Sequence, residues 1–313
     1  MTSVYIDSHI INLASDTATT INGTLLSDAN YEFRGLLKDE PDIIQRQISI
    51  ISAQIPVSFY NINEYNNIFE GRINVSTNFT CTIPLGNYNA NSLCLFLNTF
   101  ITTLGFATIT FSIDKITGKL IWKYPNPTDD PTRALLFKKE STCQELFGFQ
   151  INIDYNGTSY TVGGGNSYVE LRSVYPMNLL GAKVLSIKSP SLNTTNFSSI
   201  YKGANTLLAT IPIDSQLFGQ IDYHNYANLK TSFNNTDLNS LEIQIFDEKN
   251  NLIDFNGVNW AITLAIHLTR NYLIKPTVEN QPLANVEPNV TPKVKATLPL
   301  VKELSPEDQI LFS

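Results

Sequence analysis

The chain has 313 residues and a formal net charge of −7, with 42% hydrophobic, 11% aromatic and 16% charged residues; that balance excludes an intrinsically disordered chain, and 3 Cys are too few for a disulfide framework. The length suggests roughly two domains at about 150 residues each, or one large all-β domain. Charge falls below the usual ~25%, 34 Asn supply much of the surface polarity instead, and the excess of 28 Asp and Glu over 21 Lys and Arg, with no basic run longer than two, argues against a nucleic-acid binder.

Residues 1–30 carry neither the basic start nor the unbroken apolar core of a signal peptide, and they read as an N-terminal arm. Period-2 patterning then dominates. Strands are expected at 31–37, 45–60, 68–75 and 79–85, the second of them (QRQISIISAQIPVSFY) closing on the Asn-rich turn NINEYNN. The texture changes at 91–104, where Leu93, Leu97, Phe100, Ile101 and Leu104 recur at helical spacing, behind Asn and Ser and ahead of Gly105; this predicts the main helix. Two alternating runs, 107–113 and 119–124, flank a turn containing Gly118 and read as a hairpin. A short strand follows at 134–138, and STCQE at 141–145 fits the capping pattern of a second, short helix.

Strand texture returns at 183–189, 206–213, 220–223, 241–246 and 260–268. Leu241, Ile243 and Ile245 alternate with Glu242, Gln244 and Phe246, which describes a sheet with one buried face and favours antiparallel pairing. Asn250-Asn251 and Asn256-Gly257 mark turns in the connection to the last strand. Six of the 15 Pro then fall between Pro276 and Pro306, too many for sheet or helix, so the end of the chain reads as an extended arm with a short capped helix at Ser305. The fold class is mainly β, a β-sandwich or jelly roll with an inserted α+β subdomain. Its expected division is an arm at 1–30, a roll at 31–86 and 176–275, an insertion at 87–175 and a Pro-rich arm at 276–313.

Residues that could carry chemistry are dispersed. His9, His224 and His267 lie far apart without second ligands at metal spacing, and Cys81, Cys94 and Cys143 form no CxxC pair. Gly163-Gly-Gly165 lacks the Lys and Ser or Thr of a phosphate loop and reads as a loop tip; Asp129-Asp130 lacks the ligand ladder of a calcium loop and reads as a solvated acidic turn. Asp154, Glu170, Asp214, Asp222 and Asp247 are the pool for paired carboxylates, with nothing singling out two of them, and Trp122 and Trp260 sit in strand patterns as core residues. No catalytic, cofactor-binding or metal site is expected, and the longest apolar runs fall short of the ~20 residues of a membrane span.

Three pieces of the chain resemble a known family. ISAQIPVSFYNI at 51–62 is similar to the early-strand signature of the small jelly-roll capsid proteins of virophages and polinton-like viruses. PLGNY at 84–88, followed by a helix, a hairpin and LFGF at 146–149, resembles their inserted module; LIDFNGVNW at 252–260 with ITL at 262–264 resembles their final hairpin. The resemblance spans roughly residues 48–268. It implies a single jelly roll of the penton type, a homopentamer at the fivefold vertices of an icosahedral virion, assembled in the host cytoplasm. The partners it implies are copies of the chain itself, a double jelly-roll major capsid protein and a minor or cement protein. Low charge and abundant Asn and Tyr suit the complementary, hydrogen-bonded faces of a closed ring. The other reading is a virion attachment protein whose inserted subdomain grips a host glycan or receptor, which a glycan array on that block would separate from a structural insertion.

Overall fold

The computed structural model describes residues 2–22, 26–126, 134–162, 166–192, 194, 196–198 and 203–273. Strands β1 (Thr2–Ala14), β2 (Thr20–Ile21), β3 (Asp28–Leu37) and β4 (Ile43–Pro56) come first. Then follow β5 (Ile68–Ile73), β6 (Thr77–Thr82), helix α1 (Ala90–Thr103), β7 (Thr110–Ile113), β8 (Leu120–Asn126), β9 (Leu135–Phe137), β10 (Tyr155–Asn156), β11 (Thr158–Val162) and β12 (Asn166–Arg172). The chain continues through β13 (Val184–Lys188), β14 (Asn196–Ser198), β15 (Gly203–Asn205), β16 (Leu207–Pro212), β17 (Gln220–His224), β18 (Thr231–Ser232), β19 (Leu238–Phe246) and β20 (Ala261–Leu273). Among the described residues no helix is long and apolar enough to cross a membrane.

The pairing is nested. Strand β1 pairs with β20, β3 with β19, β4 with β17 and β13 with β16, all antiparallel, as if one long hairpin had been wrapped around itself. Wrapping yields two facing sheets, β1-β20-β4-β17 and β16-β13-β19-β3, the second extended by β2. Eight strands in that order are a single jelly roll, so the sandwich read from the sequence is the jelly roll that the resemblance implied. The inserted residues leave the roll after its third main strand and return before the fourth.

Alternation places the core between the sheets. Leu241, Ile243 and Ile245 of β19 are fully buried and face Ile262, Leu264, Ile266 and Leu268 of β20 across the sandwich, each Leu or Ile contributing about 1.5–3 kcal/mol by its burial. Strand β4 changes parity midway, burying Ile48 and Ile50 and then Ala53 and Ile55. Its register with β20 slips there: Thr263 lies opposite Ser52 while Leu264 lies opposite Ile50, which leaves Ile51 as the extra residue of a β-bulge. That bulge explains the Ile50-Ile51 doublet in an otherwise alternating strand.

Trp260 closes the end of this core. Its indole Nε1 donates to the Leu26 carbonyl at 2.8 Å, its backbone N–H donates to Ser15 Oγ at 3.1 Å, and Tyr31 Oη donates to the Ala14 carbonyl at 2.9 Å. Trp260→Phe keeps the ring but orphans the Leu26 carbonyl and leaves a void. Chemical denaturation should show a loss of about 2 kcal/mol, and an unchanged midpoint would remove the indole from this role.

The N-terminal arm needs correction. Residues 2–14 are the first strand of the roll, in full register with β20. Val4, Ile6 and Ile10 are 58%, 62% and 66% exposed, and only Ile11 and Leu13 enter the core, so the strand lacks the alternation that marks a half-buried strand. The roll's boundary also moves: β5 pairs with β9 of the inserted part on one side and with β6 on the other, and the core of that sheet runs from Ile62 to Leu171 with Met177 and Leu179 packed against it. The insertion thus begins at the Asn-rich turn rather than at residue 87. The Pro-rich arm at 276–313 lies outside the described residues.

Helix α1 matches its expected span within one residue. Asn89 and Ser92 form a reciprocal capping box, and Leu93, Cys94, Leu97 and Ile101 are buried. The second short helix does not form; residues 142–148 are turns. The side chains that would cap it are engaged elsewhere: Ser141 Oγ accepts from Glu70 N and Thr142 Oγ1 from Ile68 N, both on β5, while Gln144 Oε1 accepts from Asn152 N in the following turn. Phe69 centres this second core, with ring centroids of Phe79, Phe137 and Trp122 at 5.1, 5.0 and 5.6 Å.

The β7–β8 turn is held by Asp114. Its Oδ1 accepts from the backbone N–H groups of Ile116 and Thr117 at 3.0 and 3.3 Å, and Arg172 Nη1 donates to Oδ2 at 2.7 Å. The Ile116 and Thr117 bonds, with Arg172 adding to them, lower its pKa to about 2. A depressed carboxylate stabilises the turn above the unfolded value of about 3.9 and loses that contribution as the pH falls through the folded value. An NMR pH titration should therefore show the Ile116 amide signal steady above pH 4 and released towards about pH 2, a dependence absent in Asp114→Asn.

Candidate functional site

The segments that carry the family resemblance meet in one place, the seat of the inserted module on the roll. Ser58 Oγ donates to the Phe255 carbonyl at 2.7 Å, Asn256 Nδ2 donates to the Ser58 carbonyl at 2.6 Å, and the Phe59 and Phe255 rings meet edge to face with centroids 6.3 Å apart. This joins the end of β4 to the β19–β20 loop. Ile62 and Gly86 exchange backbone bonds at 3.1 and 3.0 Å, which brings the strand-entry and helix-entry segments together. Asn61 ties in the exit: its Nδ2 donates to the carbonyls of Tyr88 and Leu179, both at 2.8 Å, and its Oδ1 accepts from Tyr88 N at 2.9 Å. Tyr175 N donates to the Gly148 carbonyl and Asn178 N to the Leu146 carbonyl, fixing the LFGF turn to the same exit.

Asparagine serves this seat because its side chain donates and accepts at once and tolerates left-handed backbone. In the turn after Asn61, Asn63 N donates to Asn66 Oδ1, Tyr65 N donates to Asn63 Oδ1, and Asn66 Nδ2 donates to the Asn61 carbonyl. On the opposite side Asp247 accepts from the N–H groups of Lys249 and Asn251 at 2.8 Å each, and Asn250 adopts a φ of +67°.

Between these two turns lies a cleft of about 420 Å³. Tyr60, Tyr65 and Leu85 come from the entry side, Leu146 from the inserted module, and Asp247 and Asp254 from the β19–β20 loop. Glu145 of the module and Lys249 of the roll form an ion pair that also lines it. The Tyr65 phenol is pushed above its usual pKa by burial, then by its hydrogen bond to Glu64 and by the charges of Glu64, Asp247 and Asp254. Three carboxylates therefore bear on one half-exposed ring.

The residues singled out in the sequence fall mostly elsewhere. His9 lies 3.7 Å from Asp7, and His224 is exposed with its ring near Tyr226; His267 is held between Ser8 Oγ at 2.9 Å and Ser49 Oγ at 3.0 Å. Among the described residues no three His, Cys, Asp or Glu groups converge as metal ligands. Cys81, Cys94 and Cys143 are buried free thiols of the module's core; burial pushes Cys81 to about 12, Cys94 to about 11 and Cys143 well above the usual thiol value. Trp122 and Trp260 are core residues. In the carboxylate pool, Asp154 accepts from Lys139 N, Glu170 pairs with Arg172 and Asp222 bonds Gln220. Asp214 lies between β16 and β17, and only Asp247 reaches the cleft. Gly163-Gly-Gly165 and Asp129-Asp130 lie outside the described residues. The sequence reading missed Glu64, Tyr65, Glu145, Lys249 and Asp254 as neighbours; the turn signals around them were its only trace.

No family model matches the chain, and no curated protein does. Among solved structures, the chain is similar to the crystal structure of the mavirus penton protein, at 12% identity over 85% of this chain and 100% of that one, with a TM-score of 0.43. It is also similar to a chain of the Sputnik virophage structure determined by cryo-EM, at 11% identity over 83% of this chain and 97% of that one, with a TM-score of 0.38. The jelly-roll assignment rests on the strand pairing itself.

Proposed function

We propose that this chain is a structural capsid protein of a virophage-type icosahedral virion, forming homopentamers at the fivefold vertices and abutting a double jelly-roll major capsid protein. The observation that supports this reading is the convergence of the resembling segments: 51–62, 84–88, 146–149 and 252–264 are far apart in sequence yet together build the seat that joins a single jelly roll to its inserted module. A seat of this kind holds an accessory module at a fixed position on a roll, which a vertex protein needs if the insertion is to project from the shell.

The roll's surface fits the same reading. Strand β1 ends its sheet among the described residues and exposes Val4, Ile6 and Ile10, an edge with the character of a pairing surface. A fivefold ring closes through two different, complementary faces, and such an apolar edge would serve as one of them. The Pro-rich residues 276–313 would clamp neighbouring capsomers.

The deciding experiment is the mass of the purified chain in solution, followed by its position in particles. A pentameric mass and density at the fivefold vertices are expected; a monomer at high concentration together with trimeric density on the faces would remove the vertex role. Deleting 276–313 should impair incorporation into particles while the roll still folds.

A further inference from the structure

We propose that the cleft between the β19–β20 loop and the inserted module docks a lysine or arginine side chain presented by a basic segment of a second polypeptide. The proposal does not depend on the vertex reading. It rests on a cavity of about 420 Å³, within the range of small-ligand pockets, whose walls combine aromatic rings with an excess of carboxylates. Tyr60 and Tyr65 with Leu85 and Leu146 offer apolar surface to an aliphatic stem, and Tyr65 is 42% exposed, so its ring is available from the cleft.

Charge selects the head group. Glu64, Glu145, Asp247, Glu248 and Asp254 line the cleft against a single cation, Lys249, which is already paired with Glu145. Asp247 and Glu248 are fixed by backbone donors, Lys249 N and Asn251 N on the first and Lys183 N on the second, so their negative charge is held in place. Glu64, Asp247 and Asp254 line the same cleft as Tyr65 and their charges act on its phenol, while the ring face is itself attractive to a cation. An ammonium or guanidinium set there gains from the carboxylates and from the ring together. An anion would be repelled, and a neutral sugar would draw nothing from the field.

A long organic cation fits better than a metal ion, because among the described residues no three of these carboxylates converge as ligands, while the apolar walls match a hydrocarbon stem. The cleft is lined from five stretches of chain, between residues 59 and 66, at Leu85, and between 142 and 146, 178 and 182, and 247 and 254.

The test uses the full-length chain with tyrosine ring carbons labelled, followed by NMR. The probes are a short acetylated and amidated peptide, Gly-Ser-Lys-Ser-Gly, its norleucine analogue, spermidine and chitotriose. The lysine peptide should shift the Tyr65 signal saturably at millimolar concentrations, about tenfold more tightly than the norleucine peptide, and less so as salt is raised. Glu64→Gln combined with Asp254→Asn should weaken it at least fivefold with thermal unfolding unchanged, because asparagine can still accept from Asn256 N. Equal binding of the norleucine peptide, or no saturable shift up to about 20 mM, would overturn the proposal. A stronger response to spermidine would assign the cleft to a free polyamine instead, and a response to chitotriose alone to a glycan.

Discussion

Gly148→Ala should unseat the inserted module. Gly148 has a φ of +82°, and a Cβ built on it would stand 2.1 Å from the Tyr175 carbonyl oxygen and 2.9 Å from that of Pro176. These are backbone atoms, held by the bond from Tyr175 N to the Gly148 carbonyl, so no rotamer change can relieve the overlap. The left-handed conformation costs about 1–2 kcal/mol for alanine, and overpacking against fixed backbone adds roughly 1–3 more, for about 2–5 kcal/mol together. In a chain of this size that lowers the unfolding transition by roughly 10 °C. Gly105→Ala provides the control: its φ is +88° but nothing lies within 4 Å of the added methyl, so it should cost only the conformational part, about 1 kcal/mol. Equal destabilisation by the two substitutions would show that the clash at Tyr175 is absorbed, and the LFGF turn would lose its assigned role.

How much of this seat could be read from the chain follows from where each residue's signal originates. The strands and the helix were legible because their burial is periodic: Leu241, Ile243 and Ile245 alternate, and Leu93, Leu97 and Ile101 recur by turns of a helix. Strand β1 was not, because Val4, Ile6 and Ile10 are apolar yet outward, so periodicity says nothing about a strand that sits on the edge of its sheet. The second short helix failed for a related reason: Ser141 and Thr142 have the right chemistry for a cap, but their partners are Glu70 and Ile68 on β5, and no local rule sees a bond to a distant strand. The boundary of the insertion was not legible because β5 and β6 look like any other strands; only the pairing of β5 with β9, and of β6 with β5, assigns them. The cleft is the extreme case. Glu64, Glu145 and Asp254 come from three segments that only the jelly-roll winding brings together, and what the sequence offered was the Asn and Asp turns that position them.

Asn61→Asp is the substitution that tests the seat most directly. Asn61 is 8% exposed and its amide donates to two carbonyls, Tyr88 and Leu179, that belong to the entry and exit of the module. Aspartate keeps the shape and the acceptor for Tyr88 N, but it replaces both donors with a carboxylate oxygen facing two carbonyl oxygens. Breaking the donor bonds and leaving an unpaired buried charge should cost about 3–5 kcal/mol at neutral pH. The pH dependence identifies the cause. Buried and facing the Tyr88 and Leu179 carbonyls, the introduced carboxyl has a folded-state pKa above its unfolded value of about 3.9, so the penalty is small in acid and grows as the pH rises through the folded pKa. Denaturant titrations should therefore place the variant close to the wild type near pH 4 and well below it at pH 8, whereas Asn61→Leu, which loses the bonds without gaining charge, should be destabilised by a similar amount at both. A pH-independent loss in the aspartate variant would mean that water reaches the seat and screens the charge, and the Asn61 bonds to Tyr88 and Leu179 would lose their place as the clamp between module and roll.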